Sequence, residues 1–440
     1  MKTKWLKTGF ITLGIASIVS CTPSLNKMTL LRSPEKLSHS FEYSSVRENE
    51  FLEFKGKLKS FASKISECFV KREYDSTKNI VVSPLSIELC LGLAVRSSNG
   101  QTRQEILDSM GVDYETFNKY YKLYYNHFLL DIKDEDNKVV SKLSLTNSIW
   151  FDNDLRLVEG GLDALKDDYY CYSYEVDFNG DNKKTNKAIQ EFINEQTNGL
   201  INPQLNLSED VLFALMNTLY LKDLWNSMGI DLSYADNSYQ FTNANGNKSN
   251  KNLLMGSYKL GKVLNKDNYS CFYTETNRGF RIYFIKPNEG KKINDIFTNS
   301  LINEAINDKN YINVDDVLHE MYYTRCFFPE YEAYSEVSLN DMLLYDFNVK
   351  CLFDKSLCDY SNVSYDRAYC DSVQHYAKLK VDKKGVEGAA VTIMANEATS
   401  GMPDDYKRVY DDFIVDKEFG YVLTFKDNDI LFSGITSNID

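Results

Sequence analysis

Few residues in this chain could carry out catalysis. Its 440 residues include only four histidines, His39, His127, His319 and His375. A hydrolase needs a nucleophile activated by a base, or a metal-bound water, and common signatures of such sites are GxSxG and HExxH. Neither signature occurs in this sequence. The sequence therefore predicts a protein that is not an enzyme.

The cysteines do not have the spacing of a metal site. Their positions are Cys21, Cys68, Cys90, Cys171, Cys271, Cys326, Cys351, Cys358 and Cys370. No CxxC pair occurs, and no histidine lies at the distance from a cysteine pair that is typical of a zinc finger. We therefore expect neither a metal nor a cofactor. The closest group, at residues 351–370, leaves both disulfides and free thiols open.

The N-terminus has the features of an export signal. Lys2, Lys4 and Lys7 are positive, and residues 9–20 form an apolar stretch that is too short for a permanent transmembrane helix. This stretch ends in Ile-Val-Ser-Cys, which resembles the bacterial lipobox, where the cysteine sulfur receives a diacylglyceryl group before cleavage. We predict a signal peptide at residues 1–20 and a mature chain that begins at lipidated Cys21. The alternative is an ordinary secretory signal followed by an unrelated cysteine.

A polar stretch rich in Ser, Glu and Lys follows Cys21 and extends to about residue 49. Such a composition is typical of a tether rather than a folded element, so we predict a lipid-anchored tether over residues 21–49. The resulting expectation is an exported bacterial lipoprotein that is anchored in the membrane on the periplasmic side or at the cell surface.

The composition of the chain predicts a globular protein without a nucleic-acid partner. With 43% hydrophobic residues, 31 Tyr and 25 Phe but only 7 Pro, the chain can bury a large core. Binding to nucleic-acid phosphates needs concentrated Lys and Arg, whereas the net charge is −13 and no basic block occurs.

Patterns of apolar residues predict the fold class. Helical spacing of apolar residues predicts helices over residues 51–71, 86–94 and 104–110. Runs of β-branched and aromatic residues predict strands over residues 143–151, 214–221, 280–285, 377–381 and 421–425. Helices and strands alternate without βαβ regularity, so the sequence predicts an α+β fold.

Short motifs along the chain resemble, in register and in order, those of the serpin family. They are NIVVSPLSI at 79–87, GQTRQEI at 100–106, TNGLI at 197–201, NTLYLKDLW at 217–225, FPEY at 328–331, HYAKLKVDKKGVEGAAVT at 375–392, FGYVLTF at 419–425 and FSG at 432–434. Each motif alone is a weak signal, but their shared order is specific. The resemblance covers roughly residues 51–440 and is faintest around 114–138 and 223–252.

This resemblance implies a fold and a function. The expected architecture is a single serpin domain over residues 50–440, with several helices packed on three β-sheets and an exposed reactive loop at about 385–412. The family's inhibitors offer this loop as bait to a serine or cysteine protease, and the cleaved loop then enters the central sheet while the protease is still esterified to it. We expect the chain to be a monomer in the absence of the protease.

The resemblance places the hinge of the loop at Gly385, Val386, Glu387, Gly388, Ala389, Ala390, Val391 and Thr392. A segment that becomes a central strand needs alternate small or apolar residues and no proline, and positions 386, 388, 390, 392 and 394 meet this demand. Without the resemblance, residues 386–395 would be interpreted as an already buried strand. The hinge departs from the family at Val386 and Gly388, and Lys383 stands where an acidic residue commonly forms an ion pair at the top of the sheet.

By the same resemblance, a polar latch called the shutter contains Ser83, Ser86, Asn217 and His375. Hydroxyl, amide and imidazole groups suit a network that exchanges partners when the sheet opens. Trp225 is expected at the breach, the top of the opening sheet. The alternative interpretation is that His375 is a buried core histidine with its hydrogen bonds satisfied. The two interpretations agree, because the shutter has a structural role and not a catalytic one.

The bond that the protease attacks is predicted between Thr399 and Ser400 from the usual loop length. The alternative is Lys407 or Arg408, which would be bait for a trypsin-like enzyme, because the segment from Gly385 to Phe419 is longer than the family usually allows. The departures at Val386 and Gly388 support a second function, in which a non-inhibitory serpin acts as a binding or chaperone-like surface protein.

Overall fold

The computed structural model describes residues 28–35, 49–134, 138–225, 233–234, 239–259, 263–308, 311, 320–370, 373–386 and 407–439. The helices are α1 (Asn49–Glu73), α2 (Pro84–Ser97), α3 (Gly100–Met110), α4 (Tyr114–His127), α5 (Glu159–Tyr169), α6 (Asn182–Gln196), α7 (Ile293–Ile296) and α8 (Asn299–Asn307), with one π-helical turn at Met342–Asp346. The first three helices contain the three segments that the sequence predicts to be helical.

The two helices at the centre of the fold follow from local sequence. Helix α1 buries apolar residues spaced three or four apart, which are Phe51, Phe54, Leu58, Phe61, Ile65 and Phe69. Helix α2 begins after Ser83, whose hydroxyl accepts a hydrogen bond from the Ser86 amide, and Pro84 occupies the first turn, where its missing N–H costs nothing.

The largest sheet, sheet A, has eight strands. They are β1 (Thr29–Arg32), β3 (Leu130–Lys133), β4 (Val139–Asp152), β5 (Cys171–Val176), β6 (Phe213–Leu224), β15 (Tyr331–Ser338), β16 (Gln374–Asp382) and β17 (Gly385–Val386). Their order is β1-β5-β4-β6-β17-β16-β15, with β3 on β4. The predicted strands at 143–151, 214–221 and 377–381 all lie in this sheet.

Two further sheets and a hairpin complete the fold. Sheet B has the order β11-β12-β13-β19-β20-β2, with strands β2 (Ile80–Val82), β11 (Val263–Asn265), β12 (Tyr269–Glu275), β13 (Phe280–Pro287), β19 (Phe419–Phe425) and β20 (Asp429–Thr436). Sheet C has the order β18-β14-β10-β7, with strands β7 (Ser233–Tyr234), β10 (Leu254–Lys259), β14 (Glu320–Phe328) and β18 (Lys407–Ile414). The hairpin pairs β8 (Tyr239–Thr242) with β9 (Lys248–Lys251). Three sheets with several helices agree with the predicted architecture.

Sheet A lies between two helical layers. On one side, α2 packs against both β6 and β20 and so connects sheets A and B. On the other side, α6 covers the sheet through an aromatic cluster, in which the Trp150 ring lies 4.3 Å from Tyr174 and 5.2 Å from Phe192 between centroids. Sheet A is therefore buried on two faces where these layers cover it.

Part of the predicted tether is docked on the fold. Residues Thr29–Arg32 form β1, which pairs antiparallel with β5 at the edge of sheet A. The Arg32 guanidinium forms ion pairs with Glu159 and, at 2.8 Å, with Asp163 of α5. This segment thus differs from a free tether, because Leu31 packs against the core and Arg32 finds two carboxylates. The predicted signal peptide and Cys21 lie outside the described residues.

Two further sequence questions concern membrane spans and cysteines. Across the described ranges, no helix combines the length and apolar character needed to cross a bilayer. The eight cysteines other than Cys21 are free thiols, six of them buried. Of the two states that the spacing leaves open, the structure therefore has the reduced one.

Candidate functional site

Below its first two residues, one strand position in the middle of sheet A is filled by none of the residues that the structure describes. The two-residue strand β17 pairs antiparallel with β6 on one side and with β16 on the other. Below it, β6 and β16 run parallel to each other, and although both strands are described throughout, they share no ladder. We call this gap, between residues 213–222 of β6 and 374–380 of β16, the slot. At the top of the slot, where β17 pairs with both strands, the gap has the width of one strand.

Cavities continue beneath the open position. A cavity of about 70 Å³ borders both strands and α6, with Ile193, Leu207 and Met216 among its apolar lining residues. A second cavity, of about 330 Å³, lies nearer the lower end of the slot, beside Phe213 and Tyr376. The first cavity therefore separates the two strands that border the slot, whereas the second is a surface pocket whose lining includes the exposed residues Gln204 and Gln374.

The first two hinge residues already occupy the top of the slot. Gly385 lies opposite Leu224 of β6, and Val386 lies opposite Asp223 of β6 and Val381 of β16. The Val386 side chain is 1% exposed, so this hinge residue is already buried in the sheet rather than part of an exposed loop. Glycine is required at 385, because a Cβ there would lie 2.0 Å from the backbone oxygen of Asp223.

A tight turn at Lys383 and Lys384 connects β16 to β17. The Asp382 carboxylate accepts hydrogen bonds from the backbone amides of Lys384, at 2.8 Å, and Gly385, at 3.3 Å. The Lys383 amide donates to Glu330 at 2.8 Å. The basic residue at 383, a departure from the family, thus lies in a segment that is held by a carboxylate from the turn between β14 and β15.

Trp225 closes the breach from the side of β6. Its indole N–H donates to the carbonyl oxygen of Asp382 at 2.7 Å, and its backbone amide donates to that of Lys384 at 3.2 Å. The indole packs edge-on against Phe328, with centroids 5.8 Å apart. Asp223, opposite Val386, is 1% exposed, and this burial raises the pKa of its carboxyl group. The predicted breach residue therefore holds the hinge turn.

The four predicted shutter residues meet in one network below the breach. The Ser83 amide donates to His375 Nε2 at 3.1 Å, and the Ser86 hydroxyl donates to the backbone oxygen of Asn217 at 3.2 Å. Because Nε2 accepts a hydrogen bond, the neutral ring carries its proton on Nδ1. Burial lowers the pKa of His375 to about 4, so the ring is uncharged at neutral pH. The network joins α2 to both strands that border the slot.

The shutter also contains residues that the sequence does not predict. The Asn217 side-chain amide donates to Asn147 Oδ1 at 2.9 Å, and the Asn147 amide donates to the hydroxyl of Tyr121 at 2.9 Å and to the backbone oxygen of Tyr169 at 2.7 Å. On the other side, the Ser335 hydroxyl accepts from the Val81 amide. The available signal was the polar group Thr-Asn-Ser at 146–148, inside an otherwise apolar predicted strand.

Two polar side-chain atoms of β6, beside the slot, have no hydrogen-bond partner among the described residues. Asn217 Oδ1 and the Thr218 hydroxyl are both buried without a hydrogen bond to any described residue. Residues 214–217 of β6 are only half-buried, although they lie in the middle of an eight-stranded sheet. Both residues belong to the part of β6 that borders the slot.

The remaining loop residues fall into two groups. Glu387 to Thr392, together with the predicted reactive residues Thr399 and Ser400, lie outside the described residues. The alternative bait residues Lys407 and Arg408 begin β18, where they pair in parallel with Glu320 and Met321 of β14. A protease needs an extended segment with free backbone groups, so this pairing disfavours the alternative site. Within the described ranges, no three potential metal ligands come together.

Comparisons with known proteins agree with this architecture. The model of the family described as Serpin (serine protease inhibitor) matches residues 57–439. The Drosophila melanogaster protein Serine protease inhibitor 88Ea is 22% identical over 347 residues, which are 75% of this chain and 79% of the relative. The native state of the thermophilic serpin Tengpin superposes with a TM-score of 0.70 and 19% identity, over 94% of this chain and 100% of Tengpin. Thyroxine-binding globulin in complex with thyroxine superposes with a TM-score of 0.69 and 18% identity, over 88% of this chain and 99% of the globulin. The predicted α+β serpin fold is confirmed.

Proposed function

This chain belongs to the serpin family, and on that premise we propose that it is a suicide inhibitor of a serine or cysteine protease. The observation that carries the proposal is the slot, with Gly385 and Val386 already paired at its top and no strand of the described residues below them. A sheet with a vacant central position can gain free energy by accepting a strand, and the hinge residues are positioned to start that strand.

In the proposed reaction, the protease nucleophile attacks the carbonyl carbon of Thr399. The bond to the Ser400 nitrogen breaks, that nitrogen takes up a proton, and an ester or thioester joins the loop to the protease. Residues 387–399 then enter the slot at roughly 3.3 Å each, which displaces the protease by about 40 Å. Insertion distorts the protease before water can hydrolyse the bond. A small β-branched residue at 399 suits elastase-like or subtilisin-like pockets.

The second candidate function is that of a non-inhibitory serpin with a binding or chaperone-like role. It is favoured by Val386, whose branched side chain restricts entry into the sheet, and by Gly388, which weakens an inserted strand. Trapping is a race between insertion and hydrolysis of the ester. Slow insertion would leave the chain cleaved and the protease free.

Anchorage at Cys21 is part of the proposal, and it rests on the sequence of residues 1–21. On this hypothesis the protein acts against proteases at the periplasmic or outer face of a bacterial membrane. Cys21→Ala should release the protein from the membrane or block its processing. A soluble wild-type product with a different mature N-terminus would contradict the anchor without affecting the inhibitory function.

The function is tested by incubating the protein with a panel of serine and cysteine proteases. Denaturing gels should show a covalent complex, and mass spectrometry should place the cut between Thr399 and Ser400. Loop cleavage should also raise the unfolding temperature strongly, because the loop completes sheet A. Cleavage without either a complex or a rise in unfolding temperature would favour the non-inhibitory function.

A further inference from the structure

A buried carboxyl group lies beside the hinge at the top of sheet A. Asp223 of β6 is paired in register with Val386 of β17, and both residues are 1% exposed. Neighbouring residues of a strand point to opposite faces, so the adjacent Lys222 points away from Asp223. No ion pair joins Asp223 to any residue that the structure describes. Because a buried carboxylate is costly without a counter-ion, the groups around Asp223 decide how readily it ionises.

The groups that face the Asp223 carboxyl group are polar but uncharged. Oδ2 accepts a hydrogen bond from the backbone amide of Arg278 at 2.9 Å, whereas Oδ1 has no hydrogen-bond partner among the described residues. The hydroxyls of Thr276, in the turn between β12 and β13, and of Ser141, in β4, also lie beside it. The Arg278 side chain is exposed and forms no ion pair with Asp223. Burial raises the pKa of the carboxyl group, and the hydrogen-bonding groups around it only partly oppose that effect.

Charged side chains of the neighbouring elements are engaged elsewhere. The Asp382 carboxylate of β16 accepts hydrogen bonds from backbone amides of the hinge turn. On the opposite face of the sheet, the Lys222 ammonium donates to a backbone oxygen, and the Lys142 ammonium lies over an aromatic ring. Glu275 of β12 pairs with Arg281 of β13. None of these groups neutralises an ionised Asp223.

The top of β6 joins the hinge to sheet B. On the hinge side, the Trp225 backbone amide donates to the carbonyl oxygen of Lys384 at 3.2 Å. On the other side, Trp225 forms an antiparallel bridge with Thr276 of the β12–β13 turn, and the same turn supplies the amide that bonds the Asp223 carboxyl group. The hinge, the top of β6 and this turn are therefore connected, and Asp223 lies where they meet.

We propose that Asp223 is a positioning residue for the hinge, which β6 holds while the carboxyl group is protonated and holds less tightly once it ionises. An ionised carboxylate without a counter-ion is stabilised by water, and water reaches this buried group when β17 or the β12–β13 turn moves away from β6. The attachment of the hinge should therefore weaken as the pH rises. This property belongs to the intact protein, so it does not depend on whether the chain traps a protease.

The test is hydrogen exchange of the intact protein between pH 4 and pH 8, measured by mass spectrometry in peptides that cover residues 380–386. The variant is Asp223→Asn, whose amide oxygen can still accept from Arg278 and whose amino group can donate to a neighbouring hydroxyl without carrying a charge. The sequence of residues 380–386 is the same in both proteins, so the ratio of their exchange rates at each pH removes the intrinsic pH dependence of exchange.

At pH 8 these peptides should exchange at least about fivefold more slowly in Asp223→Asn than in the wild type, the factor that corresponds to the smallest usual cost of an unsatisfied buried polar group. The two rates should converge as the pH falls. The reason is that the closed site binds the proton of Asp223 more tightly than the open site does, so acid favours the closed form of the wild type.

Two further variants separate charge from packing. Asp152→Asn removes another buried carboxylate of sheet A, which is 3% exposed and accepts two backbone amides, at 3.0 and 2.8 Å. It should leave the exchange of residues 380–386 unchanged at every pH. Asp223→Ala removes both the charge and the acceptor for the Arg278 amide. Its exchange should be faster than that of Asp223→Asn, by a factor that does not vary with pH.

Equal exchange in the wild type and Asp223→Asn across the whole pH range would overturn the proposal. A ratio that differs from one but stays constant with pH would overturn it as well, because a merely structural contact gives no pH profile. The inhibitory function is judged separately, by the covalent complex with a protease, so its failure and the failure of this proposal are distinguishable.

Discussion

Sheets A and B are built from the same kinds of residues, yet only sheet B is complete. In sheet B, β19 pairs with β13 over residues 420–425 and with β20 over residues 419–425, and every residue of β19 and β20 is buried. In sheet A, residues 213–222 of β6 pair with β4 but face the slot on their other side. The two sheets share helix α2, so the difference arises within one continuous core.

The unfilled part of the described fold therefore lies in sheet A, at the slot. In sheet B, β19 is paired on both sides and its residues are buried. Along the slot, the facing edges of β6 and β16 lack backbone pairing to any described strand, and a cavity lies between them. Free energy can therefore still be gained in sheet A, and insertion of a strand is the event that would release it. Substitutions in the two sheets should accordingly have different effects before and after loop cleavage.

The largest expected effect comes from blocking the top of the slot. Gly385→Ala places a Cβ 2.0 Å from a backbone oxygen and 2.9 Å from the Leu224 Cα, and neither atom can move without breaking β6 pairing. We expect β17 to be displaced and the yield of covalent complex to fall at least roughly tenfold, which corresponds to a penalty of only about 1.4 kcal/mol.

Gly160→Ala is the matched control for this substitution. Gly160 lies in α5, where no atom would lie within 4 Å of the new Cβ. Alanine is the better helix former, so the variant should be more stable by up to about 1 kcal/mol and should trap the protease normally. Normal trapping by Gly385→Ala would mean that the hinge does not enter through β17.

The largest expected effect on stability, as opposed to the yield of covalent complex, comes from a direct comparison of the two sheets. Leu423→Ala in sheet B removes a fully buried side chain and should cost about 2–5 kcal/mol in the free energy of unfolding of both intact and cleaved protein. Met216→Ala, beside the slot cavity, should cost about 1 kcal/mol or less in the intact protein, because the side chain is only half-buried.

Loop cleavage should change only the stability cost of Met216→Ala. An inserted strand would cover Met216, so the cost of Met216→Ala should rise after cleavage while that of Leu423→Ala stays constant. Guanidinium denaturation of the wild type and both variants, each intact and cleaved, measures this. If both costs are unchanged by cleavage, the slot does not fill.

The free energy of unfolding should also fall in acid, because His375 of the shutter is buried as a neutral ring. Burial lowers the pKa of His375 in the folded protein to about 4, whereas the unfolded chain binds this proton near pH 6.5. Between these values the unfolded state holds more protons, so the free energy of unfolding decreases as the pH falls, by at most about 3 kcal/mol. Below about pH 4 this contribution stops changing.

The comparison variant for the pH dependence is His375→Gln. Burial also lowers the pKa of His127, the last residue of α4, which lies near the start of β20. His127 therefore contributes to the pH dependence of the free energy of unfolding with the same sign. The expected signal is therefore the difference between the wild type and His375→Gln in urea midpoints from pH 7 to pH 4. Identical pH profiles would show that His375 titrates normally in the folded protein.

At neutral pH, His375→Ala should have a smaller effect of about 1–3 kcal/mol, because it leaves the buried Ser83 amide without its acceptor. An open sheet that is weakened at this point should also insert its loop spontaneously or polymerise on warming. Native gels and size-exclusion chromatography check this. A fully monomeric and active variant would argue against the shutter network.

The smallest expected effect is at the edge of sheet A. Arg32→Ala removes ion pairs with two largely exposed carboxylates, and such pairs contribute about 1 kcal/mol or less. The loss should shrink further at high salt, because exposed charges are screened. A larger loss in thermal unfolding would mean that β1, remote from the slot, controls the opening of the sheet.

The sequence alone determined the features that depend on local patterns. Helical spacing of apolar residues located α1, and runs of β-branched and aromatic residues located β4, β6, β13, β16 and β19. The order of short motifs indicated the family, and through it the shutter and breach residues. These features are predictable because periodicity and motif order are properties of neighbouring residues.

Only the tertiary structure decided what depends on distant pairing. That β6 and β16 share no ladder and that Asn147 joins the shutter both require strands far apart in sequence to be placed together. The docking of residues 29–32 beside β5 is of the same kind. A strand's own sequence specifies which face is apolar, but its neighbours and their register are selected by the whole core.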